Sequence, residues 1–461
     1  LSRTLKSVIE ISTYKKRTII EGEEILKIAV AGTGYVGLVT GTCLAERGHC
    51  VTCVDVDENK IKMMESGKSP IYEDGLEELM QKNHAAGRLS YTTDYQAAYC
   101  DADAIFIGVG TPELPDGSAD LHFVMGVARQ IAESVQKDCL VVVKSTVPIG
   151  TNDEVEKLLK ECVNGRVNIE VASNPEFLAQ GTAVRDTLNA SRCVIGTESK
   201  NAESVMRAIY EPFGIPIVSV NRRSAEMIKY ASNDFLALKI SYMNDLANLC
   251  ELVGADVKAV AQGMSYDERI GRRFLNPGIG YGGSCFPKDT KALRSLAADL
   301  GYELKTVSAA IEVNQMQQIR LFTKAEEMGI ELEGKKIAIL GLAFKAGTDD
   351  LREAASLKNV PLLLEKGANL VAYDPVAQDN FIRRFPEGQQ GSGSIHYVHS
   401  AKEALQDADL CFVYTEWPEF VSLTPSDFIK TMKSPVVFDG RDIYQPEEMK
   451  NAGITYIGIG R

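Results

Sequence analysis

The chain has 461 residues, 45% of them apolar and 25% charged, with a formal net charge of −13 at pH 7. That length calls for two or three cores rather than one. The acidic balance excludes nonspecific nucleic-acid binding, and no run of about 18 apolar residues is present to span a membrane.

An anionic small ligand stays open, because it needs only local cations. The first 26 residues mix Lys15, Lys16 and Arg17 with Glu21, Glu23 and Glu24. They lack the apolar core of a signal peptide and read as an extension or short helix before the fold. Ten cysteines at irregular spacing suit free thiols in a reducing cytoplasm. Cys50 and Cys53 match C-x-x-C but lie in a strand-like run, where residues i and i+3 face opposite sides. No second pair and no histidine set completes a metal site.

In chain order, the apolar run Ile25–Ala31 leads into Gly32-Thr-Gly-Tyr-Val-Gly37 and a helix-compatible stretch to about Gly48. A second strand, Cys50–Val54, ends at Asp55. Strand, glycines, helix, strand and acid in this order form a dinucleotide-binding βαβ unit. The glycines make the tight turn and admit a pyrophosphate to the helix N-terminus. Asp55 suits ribose hydroxyls and repels a 2′-phosphate, which favours NAD over NADP. Lys60 falls near the adenosine end, or on a solvated helix face. Further strands are expected at 101–109, 140–146 and 171–177, delivering Thr111, Thr146 and Glu176 to the sheet edge where open α/β folds bind ligands.

Residues 224–253 contain no Gly or Pro and carry apolar residues at helical period. Ser224 is the expected N-cap and Gly254 the expected stop. On this helix Lys229 and Asn233 are i, i+4 and share a face, which by itself also fits a solvated polar patch. The loop Asn276-Pro-Gly-Ile-Gly-Tyr-Gly-Gly-Ser-Cys-Phe-Pro-Lys-Asp289 follows. Its glycines let backbone approach a ligand, and a thiol beside them is a candidate nucleophile. A surface turn with a buried structural cysteine is the alternative.

A second strand–helix cycle starts near 335. Lys336–Gly341 echoes Lys27–Gly32, Val371–Asp374 echoes Val54-Asp55, 407–413 echoes 101–107, and 435–440 echoes the strand at 140. It lacks the glycine fingerprint, so it is expected to bind something other than a second NAD, or nothing. Residues 386–394 read as a flexible loop. The fold class is therefore α/β, two doubly wound Rossmann-like domains joined by a long central helix. The expected divisions are 1–26 (extension), 27–220 (NAD-binding), 221–325 (central helical, with the Cys loop, suited to a dimer seam) and 326–461 (second Rossmann-like domain).

A dinucleotide site and a cysteine suggest hydride transfer with a covalent thio-intermediate: alcohol to aldehyde, then aldehyde to acid through a thiohemiacetal and thioester. Taken together the motifs resemble the UDP-glucose 6-dehydrogenase family, within the sugar-nucleotide 6-dehydrogenases. Those carrying the resemblance are Gly32–Gly37, Pro70-Ile-Tyr-Glu-Asp-Gly-Leu76, Lys144-Ser-Thr-Val-Pro148, Asn174-Pro-Glu-Phe-Leu178, Lys229-x-x-x-Asn233 and Arg269-Ile-Gly271. Gly280–Asp289, Phe344-Lys345, Leu351-Arg-Glu353, Thr415-Glu-Trp417 and Phe438-Asp-Gly-Arg441 complete the set.

The resemblance implies that Cys285 is the nucleophile. It implies that Lys229 and Asp289, with a water, move the first proton, that Lys229 and Asn233 stabilise the oxyanion, and that Glu176 with Thr146 serves the hydrolytic water. For NAD it implies Gly32, Thr33, Gly34, Tyr35, Val36, Gly37, Asp55, Lys60, Thr111, Thr146, Gln180 and Arg352. For the UDP-sugar it implies Glu176, Phe177, Leu178, Lys229, Asn233, Asn276, Gly278, Gly280, Tyr281, Gly282, Phe344, Lys345 and Arg441. Arg269 is implied to reach a neighbouring subunit's substrate, which requires a homodimer or higher oligomer. One position departs from the pattern. Family members commonly carry glutamate where this chain has Gln180, a neutral hydrogen-bonding group that cannot act as a base. UDP-N-acetylhexosamine oxidation and single-step hydroxyacid oxidation remain as alternatives.

Overall fold

The structure is a computed structural model that describes residues 18–20 and 23–461. The expectation of an extension or short helix over 1–26 lies mostly outside the described residues. Within that stretch Thr18–Ile20 (β1) pairs antiparallel with Glu23–Ile25 (β2). The chain divides into two compact units, one running to Pro112 and then from Ala119 to Lys229, the other made of Glu113–Ser118 and Tyr230–Arg461.

The first unit is built on the strands Lys27–Ala31 (β3), Cys50–Val54 (β4), Leu89–Thr92 (β5), Ala104–Ile107 (β6), Cys139–Val143 (β7), Ile169–Ser173 (β8), Cys193–Gly196 (β9) and Ile217–Val220 (β10). Their order is β10-β9-β8-β7-β6-β3-β4-β5. Pairing is parallel from β5 to β8, and β9 meets β8 antiparallel. Strands β6 and β7 read Ala-Ile-Phe-Ile and Cys-Leu-Val-Val-Val and are buried at every position. Continuous apolar runs of this kind are what a parallel sheet covered on both faces requires. One core cluster packs Leu38, Leu44, Phe106 and Val142 together; a second, separate cluster holds Ile105, Ile107, Val141 and Ile131. Strand order reverses between β3 and β6. The crevice at their carboxyl ends is the topological switch point where such sheets take ligands, and Gly32 and Gly108 line it.

The second unit carries Lys336–Leu340 (β11), Asn369–Tyr373 (β12), Gly388–Gln390 (β13), Gly393–Tyr397 (β14), Leu410–Val413 (β15), Val436–Asp439 (β16) and Thr455–Ile457 (β17). Their order is β13-β14-β12-β11-β15-β16-β17. The sequence expectation of a second doubly wound half is met. The expectation of a flexible loop over 386–394 is corrected. Strands β13 and β14 form an antiparallel hairpin with Gln390 opposite Gly393, and Gly388 and Gly391 have φ of 117° and 62°. Glycines that read as flexibility supply positive-φ backbone, Gly391 in the two-residue turn and Gly388 at the start of β13.

The central helix spans Arg222–Val253, about 48 Å at 1.5 Å per residue. Its cap lies three residues earlier than expected. Asn221 Oδ1 accepts the N–H of Ser224 at 2.7 Å, so Asn221 caps the helix and Ser224 lies inside it. Gly254, with φ of 72°, ends it as expected.

At Gly37 a Cβ would sit 2.0 Å from the carbonyl oxygen of Gly32. The helix after the glycine turn therefore packs on its strand only without a side chain there. Gly37→Ala is expected to lower stability by about 2–3 kcal/mol and to weaken dinucleotide binding at least tenfold. Urea unfolding and NAD titration measure the two effects.

Candidate active site

In the first unit the glycine turn and Asp55 are tied together. Thr33 donates to Asp55 Oδ2 from its backbone N–H at 3.0 Å and also from its hydroxyl. The N–H of Asp57 donates to Oδ1 at 3.1 Å, and Lys60 Nζ lies 3.7 Å from Oδ2. Burial opposes the charge on Asp55, but the Thr33 hydroxyl, the Asp57 N–H and Lys60 outweigh it and hold the carboxyl below its ordinary range. The helix Tyr35–Glu46 begins at Gly34, in extended backbone and with no side-chain cap. A Cβ on Gly34 would meet nothing within 4 Å. A helix N-terminus without a side-chain cap, bordered by open space and an ionised carboxylate, fits a dinucleotide's pyrophosphate and ribose. Thr111 donates from Oγ1 to the carbonyl of Thr146 at 2.9 Å, joining the loops after β6 and β7.

The loop after β8 carries Glu176, 6% exposed. Its Oε1 accepts from Lys229 Nζ at 2.8 Å and its Oε2 from the N–H of Leu178 at 2.8 Å. The Phe177 ring lies 3.8 Å from the Arg192 guanidinium carbon and 5.6 Å from Lys229 Nζ. Three polar residues with no assigned role hold this arrangement. Glu226, one turn before Lys229, accepts from the backbone of Gly150 (2.6 Å) and from the backbone and side chain of Asn152 (2.9 and 2.6 Å). Glu73, in the Pro70–Leu76 motif, accepts from the N–H groups of Gly181 (2.8 Å) and Ala183 (2.7 Å), which lie just after Gln180. Lys144 donates to Asn174 Oδ1 at 3.0 Å and to the Tyr210 hydroxyl at 3.3 Å. Burial drives the Lys144 ammonium below its ordinary range.

In the second unit the glycine loop is stitched down by amide side chains. The Gly278 N–H donates to Asn244 Oδ1 (2.8 Å), and that of Tyr281 donates to Asn314 Oδ1 (2.7 Å). Gln317 Nε2 donates to the Gly278 carbonyl (2.7 Å), and the Gly283 N–H donates to the Arg352 carbonyl (2.7 Å). A Cβ on Gly282 would lie 2.3 Å from the Glu353 oxygen, and one on Gly283 would lie 2.8 Å from the Phe344 ring. Only glycine lets this loop press against the 344–353 segment. Cys285, half-buried, is the N-cap of the helix Phe286–Asp299. One turn on, the buried Asp289 accepts from Asn233 Nδ2 (2.6 Å) and Lys288 Nζ (2.7 Å). Thus Cys285, Asp289, Asn233 and the glycine loop come together in this unit. Arg441 donates to the carbonyls of Phe344 (2.6 Å) and Tyr414 (2.9 Å), and Lys345 Nζ lies 5.6 Å from the Phe344 ring. Asn276 is exposed. Arg352 is paired with Asp350, and Arg269, with 89% of its side chain exposed, is paired with Asp267.

The acid matching Asp55 in the second α/β half is Asp374. It accepts from the N–H groups of Leu342 (2.7 Å) and Ala343 (3.2 Å) and from the Trp417 indole (3.3 Å). That carboxylate is used up by the loop after β11 and by Trp417, which agrees with the missing glycine fingerprint.

Models of three domains match in sequence order: the NAD binding domain of the UDP-glucose/GDP-mannose dehydrogenase family at residues 26–214, its central domain at 223–316 and its UDP binding domain at 338–446. The chain belongs to the UDP-glucose/GDP-mannose dehydrogenase family. A UDP-glucose 6-dehydrogenase of Bacillus subtilis is 46% identical over 95% of this chain and 98% of its own length. One from Rhizobium meliloti is 43% identical over 95% and 100%. A solved UDP-glucose dehydrogenase from the archaeon Pyrobaculum islandicum superposes with a TM-score of 0.89 at 36% identity, covering 96% of this chain and 99% of that one.

The sequence reading gave no role to Glu226, Glu73, Lys144 or Asp234, although Glu73 and Lys144 lie inside motifs that carry the family resemblance. Spacing could have found Glu226, since it sits i−3 from Lys229 on one helix face. Nothing flagged Asp234, because an acid inside a helix reads as solvent-facing.

The buried pair gives a stability test. Lys229→Met leaves Glu176 without its cation and is expected to cost about 3–5 kcal/mol. Adding Glu176→Gln should recover part of that loss, so a double-mutant cycle by urea unfolding reads the coupling.

Proposed function

We propose that this protein is an NAD-dependent UDP-glucose 6-dehydrogenase, converting the sugar's C6 hydroxymethyl group to a carboxylate while two NAD are reduced and one water is consumed. The observation that carries the reading is the thiol of Cys285 at a helix N-terminus, one turn from Asp289 and its partner Asn233, in a chain that also has a dinucleotide turn. A single-step alcohol dehydrogenase needs no nucleophile. The curated relatives above are named for UDP-glucose, which favours that sugar over UDP-N-acetylhexosamines.

NAD, when bound, accepts the hydride in each oxidation. Gly32, Thr33, Gly34, Tyr35, Val36, Gly37, Asp55, Lys60, Thr111, Thr146, Gln180 and Arg352 would hold it. Asp289 and Lys229, through a water, take the proton of the C6 hydroxyl. The Cys285 sulfur adds to the aldehyde carbon, and Lys229 and Asn233 stabilise the oxygen that becomes negative. A negative charge beside Cys285 is also favoured by the helix end it caps. After the second oxidation, Glu176 takes a proton from a water positioned by Thr146. The water's oxygen bonds to carbon, the carbon–sulfur bond breaks and the thiol is restored. Phe177, Leu178, Asn276, Gly278, Gly280, Tyr281, Gly282, Phe344, Lys345 and Arg441 contact the UDP-sugar, the cations offsetting the diphosphate.

On this reading residues 27–220 hold NAD, 221–325 the catalytic loop and dimer seam, and 326–461 the UDP-sugar. The protein works as a cytoplasmic homodimer or larger homo-oligomer. Phe235, Tyr242 and Leu249 are 61%, 53% and 52% exposed along one seven-residue-spaced line of the central helix, as a helix–helix seam requires. Among the described residues no helix is long and apolar enough to cross a membrane. Arg269, exposed and paired with its near neighbour Asp267, suits a reach to the adjacent copy's substrate.

A panel of UDP-sugars assayed for NADH tests the function. UDP-glucose should give two NADH per sugar; one per sugar, or none, overturns the reading. Cys285→Ser should lose net acid formation. Glu176→Gln should give an NADH burst followed by turnover slowed at least a hundredfold, with a thioester on Cys285 visible by mass spectrometry. Gln180→Glu should stay within about threefold of the parent rate.

A further inference from the structure

Asp234 follows Asn233 on the central helix and has no place in the reaction as derived. It is 5% exposed. Both of its carboxyl oxygens are closed off from solvent, and neither has a hydrogen-bond partner among the described residues. An ionised carboxylate in that state would lose its hydration and gain no donor in return. The neutral acid is the form such a site tolerates. The titratable groups facing it are Asp289, with Lys288 bonded to it, and Tyr281, which also feels Arg294. Burial first, and the charge of Asp289 second, push the Asp234 carboxyl up to about 8.

We propose that Asp234 is kept as a neutral carboxylic acid and acts as a positioning residue for Asp289, leaving Asp289 the one anion beside the nucleophile's helix turn. The protonation state stands on the geometry alone; the role toward Asp289 rests on the function proposed above. Neutral Asp234 lets the single charge of Asp289 be matched by Lys288 and Asn233. Ionised, it places a second anion next to the first. Like charges then raise the proton affinity of Asp289 and oppose negative charge on the Cys285 sulfur one turn back. The carboxyl thus sets an alkaline limit on the site.

Asp234→Asn keeps the shape and removes the titration, and circular dichroism checks its fold. The difference infrared spectrum of the parent minus Asp234→Asn at pH 7 should contain the carbonyl band of a protonated carboxylic acid. A carboxylate band in its place overturns the proposal. In the same variant the pH midpoint for alkylation of Cys285 by iodoacetamide should fall by about half a unit to one unit, the size expected for removing one nearby like charge at an intermediate dielectric. The ratio of NAD reduction rates at pH 9 and pH 7 should rise about threefold or more. Alkylation curves that overlay refute the positioning role. The infrared and alkylation readouts need no sugar nucleotide, so failure of the proposed activity would leave them interpretable.

Discussion

The first unit depends on one buried contact, the 2.8 Å ion pair of Lys229 and Glu176. Two charges shut away from water are tolerated only as partners. Keeping them so fixes the start of the central helix to the loop after β8. Glu226 reinforces the same junction by capping the segment that follows Thr146, and Glu73 braces the far end of the loop. Lys229, Glu176 and the segment after Thr146 are therefore positioned by carboxylates that are themselves fully hydrogen-bonded.

The second unit obtains rigidity by a different route. A loop so rich in glycine costs conformational entropy to order. Here Asn244, Asn314, Gln317 and Gln318 pair with its backbone, and Phe344 and Glu353 fill the space that side chains would occupy. Cys285 emerges at the end of that pinned loop, where a helix begins. Neutral amides suit the task, since charged anchors would disturb Asp289 and the sulfur nearby.

The two α/β halves illustrate how one topology is turned to different uses. In the first, Asp55 holds the glycine turn through Thr33 and stands at a helix end that no side chain caps. In the second, the matching Asp374 is 2% exposed and also takes the Trp417 indole. One extra aromatic side chain and the lost glycines separate a site shaped for a ribose from a closed structural node.

Read alone, the sequence determined a great deal. Strand runs, the glycine turn with Asp55, the i, i+4 pair of Lys229 and Asn233, and the Cys285 loop were all legible, because each is a local pattern whose physics acts over a few residues. It misjudged Ser224 as the cap and 386–394 as a loose loop, since Asn221 and a glycine-built hairpin satisfy the same composition. Only the tertiary structure decided that Glu176, 53 residues away in sequence, neutralises Lys229. It alone decided that Asn233 bonds Asp289 and that Asp234 is sealed with no donor among the described residues. Burial is a property of what packs around a side chain, and no spacing along the chain encodes which distant carboxylate will lose its water.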